Sequence, residues 1–221
     1  GGATLYPVES RKDKMLPANF IRRHQLTIWN SVPSVIDLMV RARQAHERNF
    51  DSLRLLTFCG EPLYKRHLDA IFEARRDVIV HNTYGPTEAT VSCTLVRLTS
   101  SDYEQYCDNS VALGQPIDGM QIVLEGGEHE NEGEVILLGE QLAAGYWHNE
   151  GETQRAFISI QRNGQDQSAY RTGDWAVRRD GEYYFAGRID SQVKIRGNRV
   201  ELDEIDAAIF ALGFGNSCTV Y

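Results

Sequence analysis

Apolar residues in the first part of the chain follow two periods in alternation. Short apolar runs at residues 4–8, 26–29, 53–58 and 78–80 read as buried strands. Segments of helical period lie between them. Residues 17–24 place Phe20 and Ile21 on one face. A second helix opens at Val32-Pro33-Ser34 and carries Val35, Leu38, Met39 and Ala42 at the i, i+3, i+4, i+7 spacing of one apolar stripe. A third, over 63–76, turns Leu68, Ile71 and Phe72 inward. Strands separated by helices predict a mostly parallel sheet, because parallel neighbours need a long crossover and a helix supplies it.

The texture changes after Gly114. Residues 120–124 and 134–138 predict two strands around an acidic loop that contains Gly126-Gly127. A second pair, 176–179 and 182–185, is joined by Asp180-Gly181, a dipeptide that suits a tight hairpin. This part reads as an antiparallel, barrel-like β subdomain. One more strand at 192–195 precedes a helix with Leu202, Ile205, Ile209 and Leu212 inward and a stop at Gly213. Residues 217–221 predict the opening of a further strand. The expected class is α/β: a mostly parallel sheet with helix crossovers, then the β subdomain, then the beginning of a small α+β part.

Charge and cysteine usage narrow the partners. The 221 residues carry 23 Lys plus Arg against 31 Asp plus Glu, a net charge of −8. That balance argues against a nucleic-acid backbone as partner, since such binding rests on positive charge. It leaves room for a nucleotide, which needs only local donors and a metal ion. Cys59, Cys93, Cys107 and Cys218 form no C-x-x-C pair and no zinc spacing, and the six histidines show no metal spacing either. No apolar run approaches a membrane span, and Gly1-Gly2-Ala3-Thr4 opens no signal peptide. The expectation is a soluble cytoplasmic protein with free thiols and no membrane partner. Phosphate loops of the G-x-x-x-x-G-K-[ST] type, G-x-G-x-x-G turns and G-x-S-x-G elbows are missing from the sequence.

Candidate chemistry gathers at Asn82-Thr83-Tyr84-Gly85-Pro86-Thr87-Glu88, directly after the apolar run 78–80. Open α/β sheets bind ligands beyond the carboxyl ends of their strands. There Tyr84 offers a flat face for a base, Gly85-Pro86 a sharp turn, Thr87 a hydroxyl for a phosphate oxygen, and Glu88 a hard oxygen of the kind Mg²⁺ takes. Cys59-Gly60-Glu61-Pro62 sits at another strand end. Further on, Tyr170-Arg171-Thr172-Gly173-Asp174 offers a carboxylate that could accept from two vicinal ribose hydroxyls. By their residues alone, Gly133-Glu134-Val135 and Gly145-Tyr146 read as scaffold, and His81 as a packed histidine.

Together with Phe185-Ala186-Gly187-Arg188-Ile189-Asp190 and Gln192-Val193-Lys194-Ile195-Arg196-Gly197, these segments resemble the adenylate-forming enzymes. The likeness is to amino-acid adenylation domains of nonribosomal peptide synthetases and to D-alanine–carrier-protein ligases. It implies ATP and Mg²⁺, with an amino acid activated as its adenylate, pyrophosphate released, and the acyl group passed to a carrier protein's phosphopantetheine thiol. It also implies a nucleotide site of Gly60, Glu61, Pro62, Asn82, Thr83, Tyr84, Gly85, Thr87, Asp174, Phe185 and Arg188. Thr87, Glu88 and Lys194 would carry the chemistry, Glu88 as the metal ligand. Asn30, Thr57, Cys59, Thr83, Val91 and Ser92 would line the pocket for a small amino acid, and Asp190 would be a hinge.

On that reading residues 1–115 are the α/β part of a large domain, 116–188 its β-rich subdomain, and 189–221 the hinge and the start of a small domain. Two lysine-bearing segments of the family pattern, one for the triphosphate and one for the carboxylate, are not among the 221 residues. The expectation is therefore a segment of a larger synthetase that adenylates poorly or not at all alone, and robust pyrophosphate exchange by the isolated chain would refute it. A coenzyme A ligase on the same fold and a decayed, non-catalytic adenylation segment are the alternatives.

Overall fold

A computed structural model describes residues 2–162, 164–195, 197–212 and 219. The chain forms two compact units. The first comprises the chain to Phe58, Pro62–Asn82 and Arg97–Val111; the second comprises Cys59–Glu61, Thr83–Val96 and the chain from Ala112 onward.

In the first unit, strands β1 (Ile28–Ser31), β2 (Leu55–Phe58) and most of β3 (Ile79–Tyr84) pair in parallel. Trp29 stands opposite Leu56, and Leu56 opposite Val80. The end of β4 (Thr94–Leu98) also belongs to this unit. Helices α1 (Arg11–Met15), α2 (Pro17–His24), α3 (Ser34–Arg41), α4 (Glu47–Phe50) and α5 (Lys65–Ala74) supply the connections and the cover. Helix α2 starts on Pro17, which lacks the amide hydrogen that the first turn cannot use, and ends where Gln25 turns left-handed. Helix α5 starts later than the sequence predicts. Tyr64 caps it, its amide donating to His67 Nδ1 at 3.1 Å, so Pro62 lies before the helix.

Three sequence expectations need correction here. Residues 4–8 form no strand; Leu5 is 87% exposed, so no sheet covers this segment. Helix α3 buries Ile36 and Met39, whereas Leu38 is exposed and Ala42 is already the C-cap. Of the predicted stripe only Met39 is buried, and Ile36 joins it. Strand β3 runs on through Tyr84, which places Asn82, Thr83 and Tyr84 within a strand rather than beyond it.

The second unit is antiparallel β. Strand β5 (Gln115–Pro116) pairs with β4, and β6 (Met120–Gly126), β7 (Glu132–Gly139), β9 (Gln165–Arg179) and β10 (Glu182–Arg188) form a sheet in the order β10-β9-β7-β6. Strand β8 (Phe157–Arg162), entered from helix α6 (Glu150–Ala156), pairs with the early part of β9. The expected antiparallel subdomain is thus present. Its central strand is longer than predicted because β9 serves three neighbours, β7, β8 and β10. The β9–β10 hairpin turns at Asp180 (φ 51°) and Gly181 (φ 87°), two left-handed residues as its tight turn requires. Tyr84, Ala89 and Cys93 share one buried cluster with Val135, Leu137 and Tyr170.

Strands β11 (Gln192–Ile195) and β12 (Asn198–Glu201) form a separate hairpin, and α7 (Leu202–Ala211) follows. The predicted inward face of α7 is not buried among the described residues: Ile205 is 39% and Leu212 74% exposed. The predicted stop at Gly213 lies outside the described residues. So does the predicted strand at 217–221, apart from Thr219, which is in no strand and whose hydroxyl and amide donate to Asp206.

Candidate active site

Tyr84, Glu88, Asp174 and the residues around them lie in the second unit. After Tyr84 the chain turns at Gly85-Pro86, makes a 3-10 turn over Thr87–Ala89 and comes back as β4. The return is held by the Cys93 amide, which donates to the Tyr84 carbonyl at 2.8 Å, and by the Val91 amide, which donates to that of Pro86 at 3.1 Å. Only glycine fits at 85, where an added Cβ would stand 2.7 Å from the Val91 carbonyl oxygen and 3.0 Å from the Cys93 amide nitrogen. Thr90 (φ 54°) and Val91 (φ 74°) are left-handed without being glycine. For a β-branched residue such as valine that backbone is strained, and strain of this kind gathers at functional loops.

Asp174 is nearly buried, 4% exposed, and both its oxygens are engaged. The Tyr84 hydroxyl donates to Oδ2 at 2.6 Å, and Arg188 forms an ion pair with Oδ1. Arg188 Nη2 also donates to the Thr172 carbonyl at 3.1 Å, and its Nε donates to Asp190 Oδ1 at 2.6 Å. Burial alone would lower the pKa of Arg188, but Asp190 and Asp174 outweigh it and hold the guanidinium more firmly charged. Burial likewise opposes ionisation of Asp190, and Arg188 reverses that, leaving its carboxyl below the usual range. Burial, reinforced by the Asp174 charge, pushes the Tyr84 hydroxyl well above its ordinary value, so it stays a donor.

A supporting layer lies behind Asp174. Its amide donates to Thr172 Oγ1 at 3.0 Å, Thr172 Oγ1 donates to the Val135 carbonyl at 2.8 Å, and buried Glu134 accepts from the Gly173 amide at 3.1 Å. Glu134 also pairs with Arg171. Gly173 is left-handed, and a Cβ there would fall 2.6 Å from Asp190 Oδ2.

Glu88 is 6% exposed. Its Oε1 accepts from the Tyr146 hydroxyl at 2.6 Å and from Arg199 Nη1 at 2.8 Å. Its Oε2 is buried and has no hydrogen-bond partner among the described residues. Burial pulls the carboxyl pKa up, but Tyr146 and Arg199 outweigh it and the group sits below its ordinary value. An ionised carboxylate with one vacant, buried oxygen fits Mg²⁺ bound by one protein carboxylate together with substrate phosphates. No cluster of three or more His, Cys, Asp or Glu suited to a metal occurs among the described residues. Any such ion would thus depend on its other ligands.

A cavity of about 260 Å³ joins these elements; Cys59, Gly60, Thr87, Asp174, Arg188 and Lys194 are among its lining residues. Gly85, Val91 and Arg199 also face it. Cys59 Sγ donates to the Val91 carbonyl at 3.4 Å, and Ser92 Oγ donates to Thr83 Oγ1 at 3.1 Å. The buried Cys93 thiol, raised to about 12 chiefly by desolvation, is inert packing. Glu61 is half-buried, and half-buried Phe185 packs against the apolar cluster that contains Tyr84. Asn30, Thr57, Pro62 and Asn82 belong to the first unit, where Asn30 stands opposite Thr57 on β1 and β2.

Tyr146, read as scaffold in the sequence, and Arg199, which the sequence did not single out, both reach Glu88. Arg199 lies on β12, opposite Lys194 on β11. The signal was Gly197, left-handed at φ 78°, which closes the hairpin after the predicted strand.

The chain belongs to the AMP-binding enzyme family, whose pattern matches residues 1–147. Among its relatives is the D-alanine--D-alanyl carrier protein ligase of Listeria monocytogenes, 32% identical over 229 residues that span 99% of this chain and 43% of that ligase. The chain thus spans less than half the length of this curated relative. Two solved structures are also similar. The Vibrio cholerae adenylation domain AlmE, in complex with glycyl-adenosine-5'-phosphate, is 35% identical at a TM-score of 0.81, covering 94% of this chain and 40% of that one. Holo-PA1221, a nonribosomal peptide synthetase protein with adenylation and PCP domains, is 27% identical at a TM-score of 0.76, covering 87% and 34%. No helix among the described residues is long and apolar enough to cross a membrane.

Proposed function

We propose that this chain carries the nucleotide site of an enzyme that activates a small amino acid as its adenylate and passes it to a carrier-protein thiol. The observation that carries the reading is the single carboxylate of Asp174. It takes the Tyr84 hydroxyl and the Arg188 guanidinium at the wall of a cavity that Thr87 also lines. A carboxylate has room for further donors beside these two. Asp174 receives the ribose hydroxyls, Arg188 fixes Asp174, and the base lies by Gly60-Glu61 and Thr83-Tyr84-Gly85, with Phe185 behind it.

In the reaction, a carboxylate oxygen of the amino acid attacks the α-phosphorus of ATP, and the bond from that phosphorus to pyrophosphate breaks. Negative charge builds on the phosphoryl oxygens, and donors already in place stabilise it without reorganising. Thr87 donates to the α-phosphate, and Glu88 would hold Mg²⁺. Bound Mg²⁺ neutralises charge on the phosphates. Lys194 belongs to the segment that reaches the site for thioester formation, and Asp190 is the hinge at the start of a small domain, 189–221, following parts 1–115 and 116–188 of a large one. The partners are the amino acid, a carrier protein with its phosphopantetheine arm and the remainder of a synthetase, in the cytoplasm.

Amino-acid-dependent ATP–pyrophosphate exchange by the full-length synthetase that carries this chain, with glycine, D-alanine and larger amino acids, tests this. Exchange driven by a small amino acid supports it, and none with any amino acid overturns it. Transfer of label to a carrier protein rather than coenzyme A is the expected second step.

In the second unit the proposed pocket for the side chain draws on Cys59, Thr83, Val91 and Ser92. Cys59→Ala is expected to shift the ranking of small against larger amino acids in the exchange assay by several-fold. An unchanged ranking would remove Cys59 from the pocket.

A further inference from the structure

Tyr146 reads in the sequence as part of a hairpin scaffold, yet the chain around it is built to deliver its hydroxyl to one atom. Three contacts fasten segment 141–146 onto 88–90. The Ala143 amide donates to the Glu88 carbonyl at 2.8 Å, Thr90 Oγ1 donates to the Gln141 carbonyl at 2.9 Å, and the Tyr146 hydroxyl donates to Glu88 Oε1 at 2.6 Å. The far side is fixed as well. Thr153 Oγ1 accepts from the Tyr146 amide at 2.9 Å and donates to the Asn149 carbonyl at 2.8 Å. Gly145 (φ 142°) is the residue this approach requires, since a Cβ there would stand 2.5 Å from Thr153 Cγ2. The Tyr146 ring meets Phe157 edge-on at 5.5 Å, Phe157 meets Tyr170 at 5.0 Å, and the two tyrosine hydroxyls lie 3.4 Å apart.

The consequence shows in the carboxylate. Tyr146 and Arg199 both donate to Oε1, and the buried Oε2 has no hydrogen-bond partner among the described residues. A buried polar atom with no partner is costly, so natural proteins retain one where something else is to fill it. We infer that Tyr146 is a positioning residue. It holds Glu88 by one oxygen so that the other faces a divalent cation arriving with a nucleotide, and Tyr170 and Thr153 hold Tyr146. The inference rests on the proposed nucleotide site. Hydrogen-bonding partners of metal-bound carboxylates typically contribute ~10–100-fold in metal affinity.

The test is ATP binding by calorimetry, with and without Mn²⁺, together with the electron paramagnetic resonance signal of bound Mn²⁺. Tyr146→Phe keeps the ring and removes the hydroxyl. It is expected to cut the Mn²⁺-dependent gain in ATP affinity ~10-fold. Thr153→Val, which frees the Tyr146 amide but leaves the ring contacts, should cut that gain less. Because Tyr146 acts through Glu88, the double variant with Glu88→Gln should lose no more than Glu88→Gln alone. A Mn²⁺-dependent gain within twofold of the wild type in Tyr146→Phe, or additive losses in the double variant, would overturn the inference. Failure of the wild type to bind ATP under any condition would count instead against the nucleotide site itself.

Discussion

Asp174→Ala is expected to abolish AMP binding and to lower the melting temperature by about 10 °C. The reason lies in what it leaves behind. Arg188 and Asp174 are a buried pair, with side chains 12% and 5% exposed. Breaking a buried pair typically costs ~3–5 kcal/mol, the lower end applying here because Asp190 still accepts from Arg188, and each kcal/mol shifts the melting point of a chain this size by roughly 2–4 °C. The Tyr84 hydroxyl loses its acceptor at the same time. Thermal melts and AMP calorimetry check both halves. Asp174→Asn separates them: it keeps an acceptor for Tyr84 and removes the charge, so it should melt above the alanine variant and still bind AMP weakly. An alanine variant with wild-type stability and AMP affinity would show that the pair matters neither to folding nor to the site.

The second large effect is expected at Gly85. Alanine there puts its Cβ 2.7 Å from one backbone atom and 3.0 Å from another, and neither can swing aside as a flexible side-chain end would. Overpacking of this kind costs ~1–3 kcal/mol, paid here by displacing the Thr90-Val91 return. That return already carries two left-handed non-glycine residues and lines the cavity through Val91. Gly85→Ala should therefore lower the melting temperature by several degrees and weaken ATP binding at least tenfold. Gly181→Ala is the control, since a Cβ there meets nothing within 4 Å. It should carry only the cost of its left-handed backbone and leave ATP affinity as it is.

Where local chemistry decides the structure, the sequence was legible. Pro17 sets the start of α2, and the strand at Gln192–Ile195 has the predicted bounds. Asp180-Gly181 makes the hairpin turn it predicts. The pairing of Tyr84 with Asp174, ninety residues on, was legible only as a family pattern, because no local periodicity encodes a contact between β3 and β9. Other features had no local signal. Tyr146 looks like any hairpin tyrosine until the chain folds it onto Glu88. The length of β9 depends on how many strands it serves, and β8 became visible only with its partner. Helix α7 has a convincing apolar stripe, yet a stripe records what could be buried and not what covers it: Leu212 is 74% exposed.

A structure of the protein with bound AMP tests the central claim most directly. The ribose hydroxyls are expected within hydrogen-bonding distance of the Asp174 carboxylate and the phosphate beside Thr87. AMP bound elsewhere, or with its ribose turned away from Asp174, would contradict it.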